Sequence, residues 1–144
     1  MNIPEAPAGT PPLNILLIED NPADAVLVRE AFDEAGVECT LSVVRDGAEA
    51  VAFFQSLDAD DEIACPDLIL LDLNLPKVGG AKVLERLRAS PRCRNTGVLI
   101  VSSSGAPSDR AQARELGATE YFRKPSSLDE FMQLGAVVQR LLKK

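Results

Sequence analysis

Histidine and tryptophan are both missing from the 144 residues. Without imidazole the chain lacks the commonest general base and the commonest metal ligand, and every Ser/His or Cys/His catalytic arrangement is excluded. Any imidazole chemistry must therefore come from a partner. Aromatic residues make up only 4%, so the 46% hydrophobic content is largely aliphatic, which suits buried strands. Basic residues are also short: 15 Lys plus Arg face 22 Asp plus Glu, and a net charge of −7 repels a phosphate backbone, which argues against direct nucleic-acid binding. No apolar run approaches the roughly 18 to 20 residues of a membrane span, and the opening MNIPEAPAGTPP has neither a basic n-region nor an apolar h-region. A soluble, cytoplasmic protein is expected. Cysteines are few, odd in number and free of any CxxC pairing, so Cys39, Cys65 and Cys93 are expected to be reduced structural thiols.

What is present fits one domain, long enough to bury about two-thirds of the surface of its unfolded chain. The Pro/Ala-rich residues 1–12 read as a flexible tail and spacer, and residues 13–144 as the folded unit. Three apolar runs, ILLI at 15–18, LILL at 68–71 and VLIV at 98–101, do not alternate with polar residues and predict strands covered on both faces. CTLSVV at 39–44 and EYF at 120–122 supply two more. Helical patterns lie between and after them at 22–35, 47–57, 81–89, 108–116 and 128–142. Asn21 before Pro22 marks one helix start, Gly36 and Gly117 mark two ends, and Ser127 with Glu130 forms a capping box. The acidic LDADDE at 57–62 reads as a solvated loop. On the last helix Phe131, Leu134, Val138 and Leu141 form one stripe. Met132, Val137 and Leu142 lie outside it, as part of a broad core-facing surface or as an exposed strip for self-association.

Alternating strands and helices predict a doubly wound parallel sheet with right-handed crossovers, whose functional site lies beyond the carboxyl ends of the strands. There the sequence places acids. The first strand runs into Glu19 and Asp20, followed by Asn21, Pro22, Ala23 and a further acid, Asp24; the third runs into Asp72. Carboxylates about 4 Å apart repel by roughly 4 kcal/mol per pair at an effective dielectric of 20 and need a counter-charge. A hard divalent cation such as Mg²⁺ supplies it while keeping positions open for phosphate oxygens. The bland alternative is that these are loop-starting acids, with Asp20 capping the first helix. Lys124, after the fifth strand, is placed to hold an anionic phosphoryl group, and Ser102, ending the fourth, to donate a hydrogen bond to it. Taken singly, each also reads as an ordinary surface lysine or turn serine.

Together these residues resemble the receiver domain of bacterial two-component response regulators over roughly residues 13–144. The resemblance implies a flavodoxin-like (βα)5 fold with strand order 2-1-3-4-5. It carries Glu19 and Asp20 onto the family's acidic pair, Asp72 onto its phosphoacceptor, and Asn74 onto the position whose backbone carbonyl completes the metal site. Ser102 falls on the switch Ser/Thr, Tyr121 on the switching aromatic, Lys124 on the family lysine and Gly80 on the glycine of the loop after the phosphoacceptor. Asn74 and Ser104 fall where the phosphoryl lifetime is tuned. KVGG departs from the pattern, since many members carry an acid before the glycine.

The implied function is Mg²⁺-dependent transfer of a phosphoryl group, with Mn²⁺ as an alternative ion, from a partner histidine kinase to Asp72. A change then follows at the surface of the fourth helix, fifth strand and fifth helix, where a homodimer would form. The chain would catalyse only its own phosphorylation and dephosphorylation, and nothing after the fifth helix leaves room for an output domain. The wording of IEDNPADAVLVREAF and LILLDLNLPKVGG is similar to stand-alone receivers working with phytochrome-type kinases. A cis Lys124–Pro125 bond is a further expectation from the family. The rivals are a haloacid-dehalogenase-like phosphatase, which needs an acid where Asn74 stands; a flavodoxin-like binding module, whose phosphate turn EDNPAD would repel; and a receiver acting only as an unphosphorylated scaffold.

Overall fold

The computed structural model describes residues 13–143, so the expected N-terminal tail lies outside the described residues. Strands β1 (Leu13–Ile18), β2 (Cys39–Val44), β3 (Leu68–Leu71), β4 (Gly97–Ser102) and β5 (Glu120–Arg123) form one parallel sheet in the order β2-β1-β3-β4-β5. Between and after them run α1 (Pro22–Ala35), α2 (Gly47–Ala59), α3 (Gly80–Ala89), α4 (Pro107–Glu115), α5 (Leu128–Phe131) and α6 (Leu134–Leu142).

The unbroken apolar runs are explained by two cores, one on each face of the sheet. Alternate side chains of a strand point to opposite faces, so a strand covered on both sides has no position for a polar residue. Leu16, Ile18, Ile69, Leu71, Val98 and Ile100 pack with Phe54, Leu57, Val83, Leu84 and Leu87 from α2 and α3. Ile15, Leu17, Leu68, Leu70, Leu99 and Val101 pack instead with Val28 and Phe32 of α1, Phe131 of α5, and Leu134 and Val138 of α6.

Local chemistry sets the entry to α1. The Asn21 side chain accepts from the Ala23 N–H at 2.9 Å, Pro22 occupies the first helical position, and Gly36 ends the helix at φ +72°. Ser127 likewise accepts from the Glu130 N–H at 3.1 Å. The helix expected at 128–142 is broken, however. Around Met132 the backbone bonds tighten to i,i+3 spacing, with the Gln133 N–H donating to Glu130 O, the Gly135 N–H to Met132 O and the Ala136 N–H to Gln133 O. Beyond this turn Gly135 sits so close to α1 that a Cβ would lie 2.5 Å from that of Ala35. Met132, Val137 and Leu142 are partly buried against the core, so the core-facing reading fits these three residues.

Three further expectations are corrected. Cys65 and Cys93 are not free thiols but a disulfide, with Cα atoms 5.9 Å apart. Their spacing in sequence gives no hint of it; they meet because they precede β3 and β4, which are paired neighbours with Leu68 opposite Gly97. Cys39 is free. Second, LDADDE is not wholly a solvated loop: α2 extends through Ala59, and Asp58 bonds Arg86 at 2.8 Å and the Ser90 hydroxyl. The Arg92 guanidinium then fastens the segment by donating to the carbonyls of Leu57, Asp60 and Ile63. Third, no described peptide bond is cis, and with a trans Lys124–Pro125 bond the Lys124 side chain already reaches its carboxylate partners. Among the described residues no helix is long and apolar enough to cross a membrane.

Candidate functional site

The order β2-β1-β3-β4-β5 has its switch point between β1 and β3, where the crossover helices leave in opposite directions and open a crevice beyond the strand ends. The apolar runs deliver their acids there. Register pairs Ile18 with Leu71, so the next residues, Glu19 and Asp72, emerge side by side. Glu19 is 2% exposed and Asp72 5%, whereas Asp20 is exposed. The backbone fixes both buried acids, with the Glu19 N–H donating to Val44 O at 2.9 Å and the Asp72 N–H to Ile18 O at 3.0 Å. One carboxylate oxygen from each of Glu19, Asp20 and Asp72 lies within 4.8 Å of the others.

The counter-charge comes from the residue that follows β5. The Lys124 N–H donates to Ser102 O at 2.8 Å, and its side chain crosses the sheet end to donate from Nζ to Glu19 Oε1 at 2.7 Å, Asp24 Oδ2 at 2.8 Å and Asp72 Oδ2 at 3.1 Å. Asp72 also accepts from the Asn74 N–H at 3.0 Å. Every buried side-chain nitrogen and oxygen among the described residues has a partner, so the rim is electrostatically knotted.

Burial pushes the Glu19 carboxyl up from its ordinary 4.5 to about 7; the Asp72 charge adds to the rise, and the bond from Lys124 offsets part of it. For Lys124 burial acts downward, but the carboxylates of Asp24, Glu19 and Asp72 outweigh it and raise the ammonium above its ordinary value. Between the unfolded value near 4.5 and the folded value near 7, the native state holds more protons at Glu19 than the unfolded chain does. Native stability from this group is therefore present below that window and lost as pH rises through it. In EDTA, the urea midpoint of Glu19→Gln minus that of the wild type should widen between pH 5 and pH 7.5. An unchanged difference would mean that Glu19 titrates normally.

Ser102, Ser104 and Tyr121 form a second group beside the knot. Ser102 is fully buried, and its Oγ accepts from the Ser104 N–H at 3.3 Å. The Ser104 hydroxyl donates to Asp109, and the Tyr121 hydroxyl donates to Ser104 O at 2.7 Å, with the Arg110 guanidinium 4.5 Å from the ring centroid. The groups join through the bond from Lys124 N to Ser102 O. Gly80, on the other side, is the first residue of α3, where a Cβ would fall 2.5 Å from Asp72 O. Only glycine lets that helix start so close to the Asp72 backbone. Asn74 is exposed and reaches the site through its N–H.

Asp24 was not among the expected site residues. Its signal was its place in the first turn of α1, whose N-terminus faces the rim.

A doubly wound sheet carrying three convergent carboxylates and a crossing lysine at its switch point defines a flavodoxin-like receiver. Residues 15–135 match the family model described as the response regulator receiver domain, and the chain belongs to that family. It is 35% identical over 124 residues to response regulator Rcp1 of Synechocystis sp., covering 86% of this chain and 84% of Rcp1. The phosphorylated cyanobacterial phytochrome response regulator RcpA superposes with a TM-score of 0.82 at 32% identity, covering 93% of this chain and 96% of that one. The Mn²⁺-bound form of Rcp1 superposes with a TM-score of 0.79 at 33% identity, covering 89% and 92%. The receiver domain of the Pseudomonas aeruginosa sensor kinase PA1611, which has a magnesium ion coordinated in its active-site cleft, gives 0.72 at 25% identity over 93% of this chain and all of that one. The chain is a phosphoacceptor of two-component signalling, a system in which receivers take their phosphoryl groups from histidine kinases.

Proposed function

We propose that Asp72 is the phosphoacceptor and that Glu19, Asp20 and Asp72, with the Asn74 backbone carbonyl, hold Mg²⁺ or Mn²⁺. The observation that carries this reading is the convergence of the three carboxylates within 4.8 Å beside a lysine ammonium 3.1 Å from Asp72. An all-oxygen set of hard donors suits these ions, which supply positive charge to phosphoryl oxygens.

An Asp72 oxygen attacks the phosphorus of a partner's phosphohistidine; the P–O bond forms as the N–P bond breaks, and the imidazole nitrogen leaves with the electron pair. Lys124 offsets charge on the transferred oxygens. The Ser102 hydroxyl proton is free to turn toward them, because in the structure its Oγ serves as an acceptor. Movement of that loop carries Ser104 along and loosens the Tyr121 hydroxyl from the Ser104 carbonyl, altering the face made by α4, β5 and α6. Asn74 and Ser104 set the lifetime of the acyl phosphate. On this reading the chain works in the cytoplasm as a receiver. It catalyses only its own phosphorylation and dephosphorylation, answers a phytochrome-type sensor kinase and pairs with a second copy through the α4–β5–α6 face. The likeness to Rcp1 and RcpA supports the sensor assignment.

The phosphatase rival is disfavoured because Asn74 cannot act as the second acid. Incubation with acetyl phosphate and Mg²⁺ should add one phosphoryl mass to the intact chain, labile to hydroxylamine as an acyl phosphate is and absent in EDTA. A hydroxylamine-stable adduct, or none, would overturn the assignment.

A further inference from the structure

Lys124 has three N–H donors and all three are taken, one each by Glu19, Asp24 and Asp72. An incoming phosphoryl oxygen must therefore displace a carboxylate to reach the ammonium. The three are not equivalent. Asp72 is the reacting group and Glu19 belongs to the trio of acids able to hold a cation, whereas Asp24 lies outside that trio. Its backbone is fixed in the first turn of α1, where its N–H donates to the capping Asn21 side chain at 3.4 Å. Its side chain is 24% exposed against 10% for that of Lys124, so this ion pair at 2.8 Å is the most solvated of the three and the easiest to exchange.

We propose that Asp24 is a positioning residue that competes with the phosphoryl group for Lys124 and so sets how much donor is needed to modify Asp72. The inference rests on the assignment of Asp72 and Lys124 proposed above. In the resting chain Asp24 holds the ammonium against the α1 side of the crevice. When donor arrives, its phosphoryl oxygens take over that hydrogen bond and Asp24 relaxes toward solvent, which its exposure allows. The local charges agree: Arg29 and Arg45 line the crevice on the Glu19 and Asp20 side, whereas Asp24 bears directly on Lys124, so this carboxylate outside the cation-holding trio works against an anionic substrate at the ammonium.

The test is acetyl phosphate modification in Mg²⁺, read by intact mass across donor concentrations, for wild type, Asp24→Asn, Asp24→Ala and Asp24→Glu. Asp24→Asn keeps the shape and removes the charge. The half-saturating donor concentration should fall about 3- to 10-fold, the range expected for deleting one partly screened like charge, with the maximal rate held within about 2-fold. Asp24→Ala should move the same way, and Asp24→Glu should return toward wild type. Beryllofluoride, a phosphoryl mimic that needs no chemistry, should bind the Asn variant more tightly by a similar factor. A merely structural anchor would give the opposite sign, since a wandering Lys124 raises half-saturation and lowers the maximal rate. If wild type is modified and folded Asp24→Asn shows an unchanged or higher half-saturation, this inference fails alone. If wild type takes no phosphoryl group, the assignment beneath it fails.

Discussion

Asp72→Asn, given acetyl phosphate and Mg²⁺ under conditions that modify the wild type, is expected to keep its unmodified mass while melting at the same temperature or higher. The first half follows from chemistry, because an amide oxygen cannot form the acyl phosphate. The second half follows from the rim. The Asp72 side chain sits beside Glu19, and its charge helps to raise the Glu19 carboxyl. At separations up to the 4.8 Å of this cluster, one carboxylate pair costs roughly 3 kcal/mol at an effective dielectric of 20, so removing a charge relieves strain. The Asn side chain keeps one oxygen for the Asn74 N–H, and although its amide replaces the oxygen that faced Lys124, that ammonium retains Glu19 and Asp24 as acceptors. Thermal melting beside intact-mass spectrometry separates this outcome from simple unfolding. A variant that still gains a phosphoryl group would place the acceptor elsewhere.

Reducing the Cys65–Cys93 bond, or replacing both residues by serine, is expected to lower stability by about 3 to 4 kcal/mol, the chain-entropy value for a loop closed over 28 residues. The loss should appear as a drop in the urea midpoint, with a somewhat steeper slope as the denatured chain, freed of its cross-link, expands. Cys39→Ser should not reproduce it, because Cys39 lies outside the bridge. Thiol counting checks the premise, with one alkylated cysteine before reduction and three after. Phosphoryl uptake by the reduced but folded chain should match that of the oxidised chain. The bridge lies before β3 and β4 begin, whereas Asp72 and Ser102 lie where those strands end. An unmoved midpoint would show that Arg92 and its carbonyl partners hold the α2–β3 segment without help.

How much of this was legible in the sequence depended on the range of the interaction. ILLI and LILL could be read as doubly covered strands because burial on both faces leaves a local mark, and an acid at the end of each run placed Glu19, Asp20 and Asp72 at one rim. Caps were equally local: Asn21, Pro22 and Gly36 act within a turn of their own positions. The disulfide left no such mark, since it depends on two strand beginnings becoming neighbours. The close approach of Gly135 to Ala35 near the start of α6 likewise involves a distant helix. Asp24 was visible as an acid in a helix's first turn, a place where acids are common for their effect on the helix dipole. What singles it out is a lysine 100 residues further along the chain.

The longest of these links has a consequence for biosynthesis. Glu19 and Lys124 are separated by 105 residues, and the ammonium that neutralises the acids follows β5, which leaves the ribosome after the other four described strands. During vectorial synthesis β1 and β3 can emerge and pair with their carboxylates still uncompensated, so a half-made chain carries an open, mutually repelling rim.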